Sequence, residues 1–280
     1  MRELAAELYK TVRRPAVWVC VLGLLAIAVT IGYAVPWLAE TFTKTTQGLP
    51  PGTTLADFKV TLYPQNFVLN TIGNPLGGVF ALILGVLMQG SEYGWGTVKM
   101  LYTQHAGRVA MLLGKLGALA TLIVVMVIGL FTVDAVSSVA AALLDGKSIE
   151  FPPASEIAKG IAAMSLIYAF WAGFGFILAT LFRQSAMAIG LGLAYALVVE
   201  GLIFGFGASL ISWLKNVQQW FPIANTGYVT DAFGSVKIRG IPSSPPPFAD
   251  ATHGVLVLLT YVVAFVVISA LLVRRRDVTN

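Results

Sequence analysis

Charge is what this sequence has least of: 11% of its 280 residues are Asp, Glu, Lys or Arg, against about 25% in an ordinary soluble domain. With 57% of its residues apolar, a soluble monomer would have too little polar surface to cover itself. Cysteine is nearly absent as well. The single Cys20 excludes an internal disulfide, and it lies in an apolar run with no local base to activate it. Histidine occurs only at His105 and His253. These two positions are expected on opposite faces of a membrane, where they cannot share a metal, and neither HExxH nor GxSxG is present. No metal site, no catalytic constellation and no cleavable signal peptide are expected. The first apolar run is too long for a signal h-region and ends without a small-x-small pattern.

What the chain does have is apolar length. Runs from about Ala16 to Leu38, Phe67 to Met88, within Ala110 to Leu144, Ile161 to Phe182, Ser185 to Leu210 and Gly254 to Val273 stand out. Each reaches the roughly 20 residues that cross about 30 Å of hydrocarbon. Backbone polar groups in lipid must be satisfied internally, and the alternating pattern of a membrane barrel is missing, so these runs are read as helices. The expected fold is all-α: a polytopic membrane protein of six transmembrane helices, with residues 1–280 forming a single transmembrane domain.

An even number of spans puts both termini on one side, and Lys and Arg decide which. Arg2, Lys10, Arg13, Arg14, Lys99, Arg108, Lys115, Arg183 and the run Arg274-Arg275-Arg276 fall on the side of the termini. Lys44, Lys59, Lys147, Lys159, Lys215, Lys237 and Arg239 are spread over a longer total length on the other. Both termini are therefore expected in the cytoplasm, with the chain multi-pass in the plasma (inner) membrane. The formal charge of +5 becomes an orientation signal, and no basic soluble face is left to suggest nucleic acid.

At the cytoplasmic face, Leu4, Ala5, Leu8, Tyr9 and Val12 share one helical face, mainly opposite Arg2, Glu3, Lys10 and Arg13. Residues 1–15 thus read as an interfacial helix ended by Pro15, with a frayed basic leader as the alternative. Residues 89–115 open with a turn-rich stretch (Gly90, Ser91, Gly94, Gly96) and continue with Val98, Leu101 and Tyr102 at helical spacing. This predicts a short cytoplasmic helix; an ordinary loop with interfacial aromatics competes. Residues 211–253 form a long outer connection. Its first half, with Trp213, Trp220, Phe221 and Pro222, is read as interfacial or re-entrant, and Ser243-Ser244-Pro245-Pro246-Pro247 as an extended polyproline segment.

Few polar groups lie within the spans. Asp134 and Glu200 are the two acidic ones, and intramembrane carboxylates are expensive enough to be functional candidates. They could bind a cationic substrate or carry a proton. Asp134 lies in a run longer than a membrane needs, so a headgroup-level position competes, and Glu200 could instead be a structural contact between helices. Asn66, Asn70 and Asn74 recur at i, i+4, i+8, one helical face. Gly73-Asn74-Pro75 reads locally as a turn. A helix stopped there would leave too short a span, so one helix kinked at Pro75 is expected, with its asparagine stripe facing protein or a watery cavity. The small-x3-small pairs Gly73/Gly77 and Gly201/Gly205 predict close helix approach.

The loop carries a family resemblance. The run Glu92-Tyr93-(x)2-Gly96-Thr97-Val98-Lys99, then Arg108 and Gly114-Lys115 opening the third span, resembles the permease subunits of ABC-2-type transporters. The N-terminal "elbow" helix, the six spans, the long outer connection and the Arg276-Asp277 ending agree in layout. The resemblance implies that residues 89–115 dock on a separate ATPase subunit, with coupling residues Glu92, Tyr93, Gly96, Thr97, Lys99 and Arg108, and that Glu92 helps to seat the loop. It implies a homodimer, or a pair with a sister permease, served by two ATPase subunits that hold ATP and Mg. It also implies that the second and fifth helices line the central cleft, which makes Asn66, Asn70, Asn74 and Glu200, with Asp134, the pathway-lining candidates. The chain itself lacks a P-loop: Gly114-Lys115-Leu116 has neither the upstream glycine spacing nor the hydroxyl. No cofactor is expected in this chain. Two other readings remain open, a proton-coupled secondary transporter with Glu200 as relay and a non-transporting membrane anchor or sensor subunit.

Overall fold

Helix termini explain where the apolar runs begin and end. The computed structural model describes residues 2–42, 59–74, 76–94, 107–206, 211–234 and 249–275, and every regular element among them is helical. The interfacial helix α1 (Arg2–Val12) stops before Arg14, which takes an extended conformation, and Pro15 opens α2 at a position where its missing N–H costs nothing. The first span, α2 (Pro15–Phe42), contains a π-helical turn at Thr30–Ala34. It lies immediately before Pro36, whose ring and absent N–H would otherwise disrupt a regular ladder.

The second span corrects one expectation. It is a broken pair and not a single kinked helix: α3 (Phe67–Ile72) and α4 (Gly77–Gly94) belong to segments that meet at 50°. The turn chemistry prevails over the length argument because the break is locally satisfied. Gly73 N–H donates to Leu69 O at 2.9 Å, and Asn74 Oδ1 accepts the Leu76 N–H at 3.0 Å. The expected turn at Gly90 is also absent; α4 runs through it to Gly94. Gly90 is there for contact, since a Cβ would lie 2.5 Å from Ser185 Oγ.

The third span, α5 (Arg108–Leu144), has 37 residues and is about 55 Å long. It closes in a Schellman turn: Lys147 N–H donates to Ala142 O at 2.8 Å, and Gly146 adopts φ +63°. α6 (Ala154–Phe182) and α7 (Ser185–Ala194) follow, and α7 continues as a π helix over Tyr195–Phe206. The first half of the outer connection resolves into two short helices, α8 (Ser212–Gln218) and α9 (Pro222–Asp231); residues 243–247 lie outside the described residues. α10 (Ala251–Arg275) is the last span. Among the described residues five continuous helices are long and apolar enough to cross a membrane, and the bent pair, counted as one span, brings the number to six.

The core is built on α4 against α6. Gly85 faces the Ala172 carbonyl and Gly175 faces the Leu82 carbonyl, so the two backbones touch where a Cβ would collide. Of the small-residue pairs, Gly77 meets Tyr168, whereas Gly73 and Gly201 meet only carbonyls of their own helices. Leu24, Leu82, Met126, Met164, Phe170 and Leu258 complete the interior. Val19, Val125, Leu197, Leu256 and Val263 point outward with half or more of their surface exposed. Such a surface suits a lipid solvent and would be a liability in water.

Candidate coupling and pathway sites

α1 turns a polar stripe inward. Leu4 and Leu8 pack against the core, but Glu7, Thr11 and Arg14, at i, i+4, i+7, are its buried positions, while Tyr9 and Val12 face outward. Arg13 covers the outer Tyr9 ring at 4.4 Å. The inward stripe meets the end of α4 and the start of α5 in an ion-pair node centred on Glu92. One carboxylate oxygen of Glu92 takes Lys10, with Arg14 at 3.9 Å, and the other takes Lys115. Lys115 also donates to Gln89 at 3.2 Å, Lys10 pairs with Glu7 at 2.9 Å, and Arg14 donates to Ser91 Oγ at 3.0 Å. Glu92 and Lys115 are 2% and 3% exposed. The carboxylate expected to seat the loop on a partner is thus spent inside this chain, on the two helices that bracket the loop and on α1. Gly96, Thr97 and Lys99 lie outside the described residues, as do the side chains of Tyr93 and Arg108.

The three polar features of the spans separate. Asp134 is 2% exposed and lies inside the helix bundle. Among the described residues neither its Oδ1 nor the hydroxyl of Tyr168 has a hydrogen-bond partner; Tyr33 and Tyr168 are the phenols in electrostatic range of it. Glu200 is fully buried and accepts the backbone N–H of Ile223. Pro222 opens α9, so Glu200 places its carboxylate on that helix's positive end. That contact holds the outer connection onto the fifth span. Asn225 adds to it by donating to Gln219 O and Phe221 O, both at 2.8 Å.

The asparagine stripe faces two adjoining spaces. Asn66 and Asn70 line a cleft of about 360 Å³ with Thr61 and Asp231, and Asn66 donates to Val60 O at 2.8 Å. Asn74 lines a second cavity of about 360 Å³ between the α3–α4 break, α6, α7 and α9. Gly73 and Thr230 border both.

A polar staple at the other end was not legible in the sequence. Lys59 pairs with Glu40 at 2.6 Å and Asp145 at 3.1 Å. Asp145 also accepts from Trp37 and Tyr63, each at 3.2 Å. Partial burial pushes the Asp145 carboxyl up, but the Lys59 and Trp37 hydrogen bonds outweigh it and hold it below its ordinary 3.8. For Lys59, desolvation acts downward and is outweighed by Glu40 and Asp145, which raise it above 10.5. A depressed acid stabilises above its unfolded value and loses that contribution as pH falls through the folded one; a raised base loses it as pH rises. The staple is therefore intact across neutral pH and is lost in strong acid or base. Asp145→Asn is expected to lower stability at pH 7 by no more than about 1 kcal/mol. The difference from wild type in thermal unfolding should shrink toward pH 3; a constant difference would show that the carboxylate charge contributes nothing.

These features define a class: a polytopic α-helical membrane protein whose N-terminal interfacial helix is ion-paired to the roots of the loop after its second span. The chain belongs to the ABC-2 transporter family, since the model of the ABC-2 family transporter protein matches residues 4–278. It is similar to the uncharacterized protein YhcI of Bacillus subtilis (strain 168), with 24% identity over 218 residues. The match covers 73% of this chain and 66% of YhcI, just under two thirds of that protein's length.

Proposed function

We propose that this chain is the permease subunit of an ATP-driven ABC exporter, forming its substrate pathway as a dimer, with itself or a sister permease, in the plasma membrane. Both termini face the cytoplasm, and residues 89–115 receive the motion of two separate ATPase subunits that bind ATP and Mg. The observation that carries this reading is the Glu92 node. Glu92 stands at the start of the loop and Lys115 at its end; the two are paired with each other, and Glu92 is also paired with Lys10 of α1. A push on the loop therefore moves α1, α4 and α5 together, and α4 carries the break that borders both cavities. Population of inward- and outward-open states would then follow the state of the ATPase. The engagement of Glu200 with α9 favours a structural role over a proton relay.

The test is purification of the tagged full chain from its native membrane. A P-loop ATPase should co-purify, and native mass spectrometry should give two permease chains to two ATPases. Recovery of the chain alone, in a detergent that preserves other ABC complexes from the same membrane, would overturn the reading.

A further inference from the structure

The cavity behind the α3–α4 break has a composition that selects its occupant. Among the described residues seventeen line it, and none of these carries a formal charge. Its walls are apolar, with Val79, Met164, Ile167 and Trp171 among them. Among the described residues, the buried Tyr168 hydroxyl and Thr226 Oγ1 on this lining have no hydrogen-bond partner. Asp134 acts on Tyr168 electrostatically but is not part of the lining. The N-terminus of α9, which reaches this lining at Ile223, is already occupied by the chain's own Glu200.

We infer that this cavity binds an uncharged, mainly apolar solute bearing a hydroxyl or carbonyl group, which hydrogen-bonds to Tyr168 and Thr226. A cation would find no carboxylate in the lining and an anion no Lys or Arg, so either would be buried without a counter-charge. The volume of about 360 Å³ suits a molecule on the order of twenty non-hydrogen atoms, which is too small for a two-chain lipid. The adjoining cleft, with Asn66, Asn70 and Asp231, gives the polar end of such a solute a way toward water. The inference deepens the permease reading by naming a substrate class. Binding is read without any ATPase, so its failure would leave that reading untouched.

The test uses the purified full chain in phosphatidylcholine nanodiscs and three benzophenone photoprobes that share one body and end in hydroxymethyl, trimethylammonium or carboxylate groups. Labelled peptides are quantified relative to the lipid-exposed face around Val263. The hydroxymethyl probe should label the segments around Met164 and Thr226 at least about tenfold more than either charged probe. Thr226→Val should weaken the hydroxymethyl probe about two- to tenfold, the loss of one hydrogen bond, and leave a methyl-terminated analogue unchanged. Thr226→Trp, which fills the space, should abolish labelling in protein that still elutes as a single species. Equal labelling by the charged probes would overturn the proposal. So would displacement of the hydroxymethyl probe by diacylglycerol added to the nanodisc, which would assign the cavity to bilayer lipid.

Discussion

Replacing Glu92 with alanine is expected to destabilise the folded chain by about 3–5 kcal/mol, because it takes from buried Lys115 its ion-pair partner and leaves Glu7, paired with Lys10, to face Lys10, Arg14 and Lys115. Glu92→Arg should be worse, since it adds a fourth cation to the same space. Either change should appear as a large fall in thermal unfolding temperature and in the yield of monodisperse protein. Charge reversal at Glu92 is thus a folding experiment and not a clean probe of coupling. The clean probe is Glu92→Gln with Lys115→Met, which removes the buried pair while keeping its shape. Replacing a buried ion pair by neutral groups of similar volume is often close to neutral in stability. The double variant should therefore regain most of the loss. If the node transmits force, the folded double variant should also transport at a tenth of the wild-type rate or less while its ATPase partner still hydrolyses ATP, a gap of about 1.4 kcal/mol or more in coupling. Wild-type transport by the double variant would reduce the node to a purely structural contact.

The spans were legible because a run of about twenty apolar residues is a one-dimensional signal, and Pro15 and the glycines near the helix ends mark the boundaries. The break in the second span was visible in Gly73-Asn74-Pro75, but the demand for a full-length span outweighed it. The structure satisfies both by joining two helices at an angle. The Glu92 node was half visible. Glu92 was singled out and the Glu7, Thr11, Arg14 spacing could have been read as an inward polar stripe, yet residues 10, 92 and 115 meet only once α1 docks on α5. The apolar residues of α1 pointed to an interfacial helix, but not to the face that would turn inward. The role of Glu200 was hidden for a similar reason. Its partner is a backbone N–H on a helix that exists only because Pro222 starts it, and backbone donors leave no mark in side-chain patterns.

Placing a methyl group on Gly85 is expected to be among the most damaging single changes available to this chain. A Cβ there would lie 2.7 Å from the carbonyl carbon and 2.9 Å from the Cα of Ala172. The obstacle is backbone and cannot rotate away. Overpacking against side chains costs about 1–3 kcal/mol; here α4 and α6 must part, so Gly85→Ala should exceed about 3 kcal/mol. The same holds for Gly175→Ala, whose Cβ would meet the Leu82 carbonyl carbon at 3.0 Å and Val86 Cγ2 at 3.1 Å. α4 and α6 could not part without also disturbing Gly77 against Tyr168 and Gly78 against Trp171, and so the wall of the cavity. Gly190 is the control. It lies within α7 with nothing within 4 Å of a Cβ, and Gly190→Ala should be neutral or stabilising by up to about 1 kcal/mol through helix propensity. Thermal unfolding of the three variants in the same lipid, with photoprobe labelling around Met164 as a second readout, tests the packing argument directly. If Gly85→Ala and Gly190→Ala unfold at the same temperature, the α4–α6 backbone contact is not what holds the core together, and the break in the second span needs another support.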